Sequence, residues 1–259
     1  MRAVITLTTD FGLLDPFVGI MKGVILNIAP SAQIIDITHG IEPQNIVQAA
    51  LALESAHAYF PKNTVHLVVV DPGVGGDRRP IAVKTKSATF VGPDNGVLTP
   101  LIDSSARVYE LTHTKYFLDS PSSTFHGRDV FAPISAWIAK GTPLSKMGLK
   151  ISDPRILELP QPTIHKGTIT GEIIYIDRFG NLISNISSEL LRETQPDSLT
   201  LKIGKKRIHG LVSHYSQCKP GDVGTLINSW GKLEIFCRDG NAAKKLKYRV
   251  GTSLTIKKD

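Results

Sequence analysis

Between residues 71 and 79 the chain reads Asp-Pro-Gly-Val-Gly-Gly-Asp-Arg-Arg, its densest run of polar and turn-forming residues. Three glycines and a proline let such a segment fold back, so Asp71 and Arg78 can meet across a tight loop. A carboxylate and a guanidinium in contact can simply brace such a turn. The glycines also suggest a phosphate loop. The segment lacks the Gly-Lys-Ser/Thr ending of a P-loop, however, and its spacing is not that of a dinucleotide fingerprint. Thr124-Phe125-His126-Gly127-Arg128-Asp129 sets a histidine at an expected helix start. Alone it reads as a structural hydrogen-bonding residue, and it gains weight only if it meets Asp71 and Arg78 in space.

Thr8-Thr9-Asp10-Phe11-Gly12-Leu13-Leu14-Asp15 places two carboxylates five residues apart at a strand end. They suit ribose hydroxyls or a divalent cation, or Asp10 caps the next turn. In the second half, Ile176-Asp177-Arg178-Phe179-Gly180-Asn181, Asn228-Ser229-Trp230-Gly231 and Arg238-Asp239-Gly240-Asn241-Ala242-Ala243 each read as a polar turn after a strand. Tyr215 suits either an aromatic platform for a base or half-buried packing.

Alternating elements must position the first set. Ala3–Thr8, Gln33–Ile37 and the β-branched run Val65–Val70 read as strands; Phe17–Ile28 and Ile46–Tyr59 read as helices. That β-α-β-α-β order predicts a parallel sheet with both faces covered, and ligands bind beyond the carboxyl ends of such strands. Asp10 and Asp71 occupy those ends. Strands at Ile81–Thr85 and Ala88–Val91, a Gly-Pro-Asp-Asn-Gly turn at 92–96 and a helix from Asp129 to Lys140 follow. Residues 150–168, with Pro154, Pro160 and Pro162, read as a linker. Beyond it, short strands at 169–176, 199–204, 206–212, 224–229, 232–237 and 252–257 predict a small all-β domain, sandwich or barrel. The expected division is an α/β N-terminal domain over 1–160 and a smaller β-barrel-like domain over 168–259.

At 259 residues, 41% hydrophobic and 20% charged, the chain is too apolar to be disordered. Cys218 and Cys237 form neither a CxxC pair nor a disulfide framework, which argues against structural zinc and for a reducing compartment, the cytoplasm. No run approaches ~20 apolar residues, and the N-terminus lacks a signal peptide's apolar core and cleavage site. Residues 200–259 carry 13 Lys and Arg against 4 Asp and Glu. These charges are spread through strand-like segments without clustered aromatics, as on a solvated basic face rather than a nucleic-acid surface.

Taken together, TTDFG at 8–12, MKG at 21–23, THGIEPQNI at 38–46, DPGVGGDRR at 71–79, GPDNGVL at 92–98, TFHGRD at 124–129, IDRFGN at 176–181 and NSWGKLEI at 228–235 resemble one family. It is the S-adenosylmethionine (SAM) hydroxide adenosyltransferases, or SAM hydrolases, relatives of the SAM-dependent fluorinase and chlorinase. The resemblance implies an N-terminal α/β domain, a C-terminal β-barrel-like domain, and a homotrimer with active sites between neighbouring subunits. It implies cleavage of SAM by water to adenosine and L-methionine, with SAM as substrate and with no further cofactor, metal, nucleic acid or membrane involved. The catalytic set it carries over is Asp71, Arg78 and His126. Asp10 matches the ribose-diol carboxylate, Asp177 and Ser229 match contacts to the methionine part, and Asn181 lies near the adenine. Tyr215 matches an adenine-stacking aromatic, and Arg238 falls in the substrate-binding region. There are departures: Trp230 stands where the halogenases have Arg, and Arg238-Asp239 where many hydrolases have Asn and Arg. Gly127 replaces a serine that helps hold fluoride, and the fluorinase's long insertion, which would fall between Lys86 and Phe90, is missing. Both of these last features favour water over halide. The competing readings are a SAM-dependent halogenase, a calcium-dependent nucleoside hydrolase using Asp10 and Asp15, and a nucleic-acid-binding protein using the basic C-terminal region.

Overall fold

The computed structural model describes residues 2–192 and 199–258. The chain divides into two compact units, Met1–Glu158 and Leu159–Asp259.

The first unit is built from β1 (Val4–Thr9), α1 (Phe17–Ile28), β2 (Gln33–Thr38), α2 (Ile46–Ala56), β3 (Thr64–Val69), β4 (Pro80–Lys84), β5 (Ala88–Pro93), β6 (Arg107–Leu111), α3 (Ala132–Ala139) and β7 (Gly148–Ile151). They form one seven-stranded sheet in the order β2-β1-β3-β5-β4-β6-β7. The first four of these strands run parallel, and β4, β6 and β7 are antiparallel to their neighbours. Alternate residues of β3 and its extension feed two cores. Leu67 and Val69 pack with Ile5, Leu7, Met21, Ile25 and Phe131 on one face. Val68 and Val70 pack with Leu53, Ile81 and Phe90 on the other. Double-sided burial explains the continuous apolar run that marks β3 in the sequence. Because β1 and β3 are adjacent and parallel, Asp10 and Asp71 leave the sheet at the same edge.

Several boundaries differ from the expected ones. The helix expected at 129–140 opens instead with a π-helical turn, Gly127–Phe131, before α3. The helix expected to reach Tyr59 ends at Ala56 and continues as a 3-10 turn, His57–Tyr59. β5 runs two residues into the expected 92–96 turn, because Pro93 still pairs with Pro80 on β4. β6 and β7 lie where the sequence has no clear alternation.

The second unit contains β8 (Thr163–His165), β9 (Thr168–Ile176), β10 (Leu182–Ser187), β11 (Leu199–Ile203), β12 (Lys206–His209), β13 (Val223–Ile227), β14 (Lys232–Cys237), α4 (Ala242–Leu246) and β15 (Ser253–Lys258). The antiparallel order is β12-β11-β15-β9-β10-β14-β13, with the short β8 pairing the Thr168–Thr170 end of β9. Just past β12, the Val212 N–H donates to the Thr225 carbonyl at 2.9 Å, and the sheet nearly closes into a barrel. Ile173, Leu182, Leu201, Leu233, Ile235 and Ile256 fill its interior. Strand β10 escaped the sequence reading because Ser184 sits mid-strand. That hydroxyl is fully buried and donates to the Leu233 carbonyl at 3.0 Å, so the polar residue belongs to the core.

One buried group makes the first unit sensitive to acid. His66 on β3 is fully buried, stacked on Phe90 at 4.9 Å, with Nδ1 2.8 Å from the Thr6 hydroxyl. Among the described residues its Nε2 has no hydrogen-bond partner. Burial, helped by nearby His57, lowers its pKa to about 4 from an ordinary 6.5. Between those values the unfolded chain binds a proton that the native ring refuses. Stability is therefore intact above pH 6.5 and is lost as pH falls through 6.5 towards 4, by up to about 3 kcal/mol. Urea unfolding at pH 7 and pH 4.5 should show this loss, and a His66→Leu variant should show a flatter pH dependence.

Candidate active site

At the carboxyl edge of the parallel strands, Arg78 joins the two sequence clusters. Its Nε lies 3.0 and 2.9 Å from the two Asp71 oxygens, and its Nη2 lies 2.5 Å from Asp71 Oδ2. The same Nη2 reaches His126 Nδ1 at 2.7 Å. The Arg78 and Asp71 side chains are only 6% and 5% exposed, and the guanidinium lies over the Phe131 ring at 5.2 Å. So the three side chains meet, with arginine in the middle.

A guanidinium only donates hydrogen bonds. His126 Nδ1 must therefore accept, which makes the ring neutral with its proton on Nε2. Burial, and next the charge of Arg78, lower the His126 pKa below its usual value, in agreement with that neutral form. The neighbouring Arg79 takes the purely bracing role. It binds Asp94 at 2.8 Å and Asp153 at 3.1 Å, while Asn95 donates from its amide to the Val70 carbonyl at 2.9 Å. The sequence reading gave these residues of the Gly-Pro-Asp-Asn-Gly turn no role.

The loop carrying Asp71 and Arg78 lies directly against the loop before His126. Gly75 has a φ of +77°, and a Cβ there would overlap the Ser123 carbonyl oxygen. Its missing side chain is what lets the two loops touch. His126 itself sits at the mouth of the π-helical turn, whose Asp129 is held by Arg128 at 2.6 Å and by the Ser122 N–H at 2.8 Å. Single π turns of this kind often occur at functional sites.

Asp10 leaves the same sheet edge. One of its oxygens accepts the Gln44 N–H at 2.8 Å, fixing a residue with φ +66°. Thr9 next to it is held by His39 Nδ1 at 2.8 Å, and the Gly12 N–H donates to the His39 carbonyl at 2.9 Å. Asp15 is exposed, and the structure does not bring it together with Asp10 in a cation cage. Among the described residues, no cluster of three or more His, Cys, Asp or Glu side chains is arranged to hold a metal ion.

The second-half candidates gather in the second unit. A cavity of about 610 Å³ is lined by Phe179, Asn181, Tyr215, Ser216 and Arg238 together with the adjacent turn. Its walls are tied by local bonds. Asp177 accepts from the Phe179 and Asn181 N–H groups at 2.9 and 2.8 Å and from the Asn181 amide at 3.0 Å. A Cβ on Gly180 would overlap the Asn241 side chain, which caps α4, so the 177–181 and 238–243 turns pack without a gap. Arg238 donates to the Ser216 and Cys218 carbonyls at 2.9 and 2.5 Å and braces the Tyr215 segment. Tyr215 stands edge-on to Phe236 at 4.9 Å, with its hydroxyl donating to buried Glu234 at 2.9 Å. Burial and then Glu234 push the Tyr215 pKa up to about 12, and burial raises that of Glu234. Ser229 is exposed on the turn that Asn228 organises, and Trp230 packs on Tyr175 at 5.4 Å. Sequence reading missed Phe179, 74% exposed at the cavity, and Glu234 beneath Tyr215. A charged residue inside the apolar alternation of β14 was the only signal for Glu234.

Comparison with known proteins agrees along the chain. Residues 5–148 match the model for the SAM hydroxide adenosyltransferase N-terminal domain, and residues 171–255 match that for its C-terminal domain. The chain is 39% identical over 263 residues to the (R)-S-adenosyl-L-methionine hydrolase of Methanocaldococcus jannaschii, covering 94% of this chain and 91% of that one. It is 35% identical over 260 residues to the enzyme of the same name from Salinispora tropica, covering 97% of each. A fluorinase from an Actinoplanes species is 30% identical over 290 residues, covering 98% and 97%. The crystal structure of an uncharacterized conserved protein from Thermotoga maritima superposes with a TM-score of 0.92 at 37% identity, covering 98% and 99%.

The Gly75–Ser123 contact yields a test that needs no substrate. Gly75→Ala should part the two loops, weaken the Arg78–His126 contact and let the His126 pKa rise back towards 6.5. Imidazole titration followed by NMR reads this directly; an unchanged His126 titration would contradict the packing role assigned to Gly75.

Proposed function

The chain belongs to the SAM hydroxide adenosyltransferase family, and on that premise we propose that it hydrolyses SAM to adenosine and L-methionine through Asp71, Arg78 and His126. The observation that carries this reading is the guanidinium of Arg78 bonded at once to a carboxylate and to a neutral imidazole.

The bond to be cut joins the ribose C5′ to a sulfonium sulfur. Methionine leaves as a neutral thioether and needs no general acid. What the site must supply is an oxygen nucleophile in line with that bond. A guanidinium is a permanent cation, so Arg78 stabilises developing hydroxide as a fixed charge. His126, neutral with Nδ1 occupied by Arg78, presents Nε2–H and orients the nucleophile as a donor. Asp71 is then the base of the set: Oδ2 takes two donors, while Oδ1 accepts from Nε alone and receives the proton of the attacking water. Such assistance is typically worth about 10²–10⁴-fold. Attack joins a negative and a positive centre into neutral products, so a site that excludes bulk water helps it. Alignment of water and substrate contributes up to about 7–11 kcal/mol in favourable cases.

Asp10 has one oxygen committed to Gln44 and one left for the ribose diol. The second-unit cavity suits the rest of the substrate, with Tyr215 as adenine platform, Asn181 near the base, Asp177 and Ser229 towards the methionine amino acid, and Arg238 as brace. The proposal includes a homotrimer with active sites between neighbouring subunits, acting in the cytoplasm with no cofactor beyond SAM itself. Both cysteines are free thiols, as a reducing compartment requires. Among the described residues, no helix is long and apolar enough to cross a membrane.

Incubation with SAM should release adenosine and methionine in equal amounts, unchanged by added chloride. Asp71→Ala, Arg78→Ala and His126→Ala should each lower kcat by about 10²-fold or more with folding intact. A fully active Arg78→Ala enzyme would refute the mechanism. Since the His126 pKa is lowered, kcat should hold at pH 7 and fall only on an acid limb below pH 6.5, as a protonated ring is repelled by Arg78. Sedimentation of the intact protein tests the trimer.

A further inference from the structure

The second unit carries another concavity, away from the Tyr215 cavity and sharing no lining residue with it. Its volume is about 470 Å³. The floor is the outer face of four neighbouring strands, β12-β11-β15-β9. On β11, Leu199, Leu201 and Ile203 point into the barrel and are fully buried, so Thr200 and Lys202 point outward. Register then defines two rows across the face. In one, Thr200 lies opposite His209 on one side and Lys257 on the other, and Lys257 lies opposite Thr168. In the other, Lys202 lies opposite Arg207 on one side and Thr255 on the other.

Two features of this face call for a ligand. Like charges directly opposite on antiparallel strands destabilise the pair, yet Lys202 faces Arg207. Among the described residues, no carboxylate lines the concavity or forms an ion pair with Lys202, Arg207 or Lys257. Three cations therefore converge on a concave surface beside Thr168, Thr255 and the His209 ring, which lies 3.0 Å from the Thr200 hydroxyl, and among the described residues no carboxylate answers their charge. A multiply charged anion would match that set. Strand spacing of about 4.8 Å places the backbones carrying Arg207 and Lys257, two strands apart, at about 10 Å. That span, and the cavity volume, exceed what a single phosphate fills.

We propose that this concavity binds an anion with two or more linked phosphates, with Lys202 and Arg207 gripping one end and Lys257 and His209 the other. The assignment does not depend on the reaction proposed above, because none of these residues belongs to the Asp71 set or to the Tyr215 cavity.

Calorimetric titration of the full chain with inorganic tripolyphosphate, ATP, orthophosphate and a single-stranded RNA oligonucleotide tests it. Tripolyphosphate should bind at least about tenfold more tightly than orthophosphate, with affinity falling as salt rises. Tighter binding of ATP identifies a nucleotide as the source of the phosphates; equal or weaker binding identifies a free polyphosphate. The double variant Lys202→Ala/Arg207→Ala should lose at least about tenfold in tripolyphosphate affinity. It should also melt no lower than the parent, since an opposed pair of cations is gone. Should that variant fold poorly, Lys257→Gln alone should weaken binding in the same direction. Tripolyphosphate affinity unchanged in the folded variants, absence of binding, or RNA binding that tripolyphosphate does not displace would each overturn the assignment.

Discussion

A buried arginine must have its charge answered, and in this protein Arg78 is answered by two groups of opposite character. Asp71 supplies the negative charge, and His126 supplies a lone pair. The bidentate carboxylate fixes the plane of the guanidinium, and the plane fixes where the imidazole must stand. Because arginine cannot accept a hydrogen bond, the tautomer of His126 follows from the contact itself. That single constraint ties three polar residues into one hydrogen-bonded set, with a carboxylate and a neutral imidazole on the two sides of one guanidinium. The π-helical turn after His126 and the glycine loop before Arg78 are the local distortions that let the three atoms reach one another.

The scaffold around this contact is built to hold two loops at one edge of a sheet. β1 and β3 are neighbours, buried on both faces, so the residues that follow them emerge together. Arg79, one residue beyond Arg78, points to Asp94 and Asp153 and anchors the loop to the neighbouring strand ends. Adjacent arginines thus divide the labour, one bracing the fold and the other available for chemistry. The buried His66 on β3 of the same sheet shows the cost of polar groups in such a core, where a ring accepted as neutral becomes a liability in acid.

The second unit solves a different problem. Its nearly closed sheet needs an apolar interior, and polar groups set into it are satisfied locally, Ser184 by the Leu233 carbonyl and Glu234 by Tyr215 and Asn228. At the strand ends Asp177, Asn241 and Arg238 spend their hydrogen bonds on holding backbone in place. Tyr215 and Phe179 are presented by that framework. The basic outer face of the same sheet is a separate feature, set by the strand register rather than by the turns.

What the sequence determined by itself was whatever depends on local pattern. The β-branched run at 65–70 required a buried parallel strand, and the alternation with helices required an α/β unit with Asp10 and Asp71 at the carboxyl ends of its strands. The glycines at 73–76 required a tight loop, and the eight motifs in order carried the family. Boundaries such as the π turn at 127–131 escaped it, because only packing against the Asp71 loop decides whether that first turn is widened. Strand β10 escaped because a buried serine looks like a surface serine until its partner carbonyl is known. The role of Arg78 as the bridge between Asp71 and His126, and of Arg79 as the brace, was decided only in three dimensions. Identical residue types one position apart carry no local signal of which will face the site, and the choice is made by strand register and by which carboxylates the fold brings within reach.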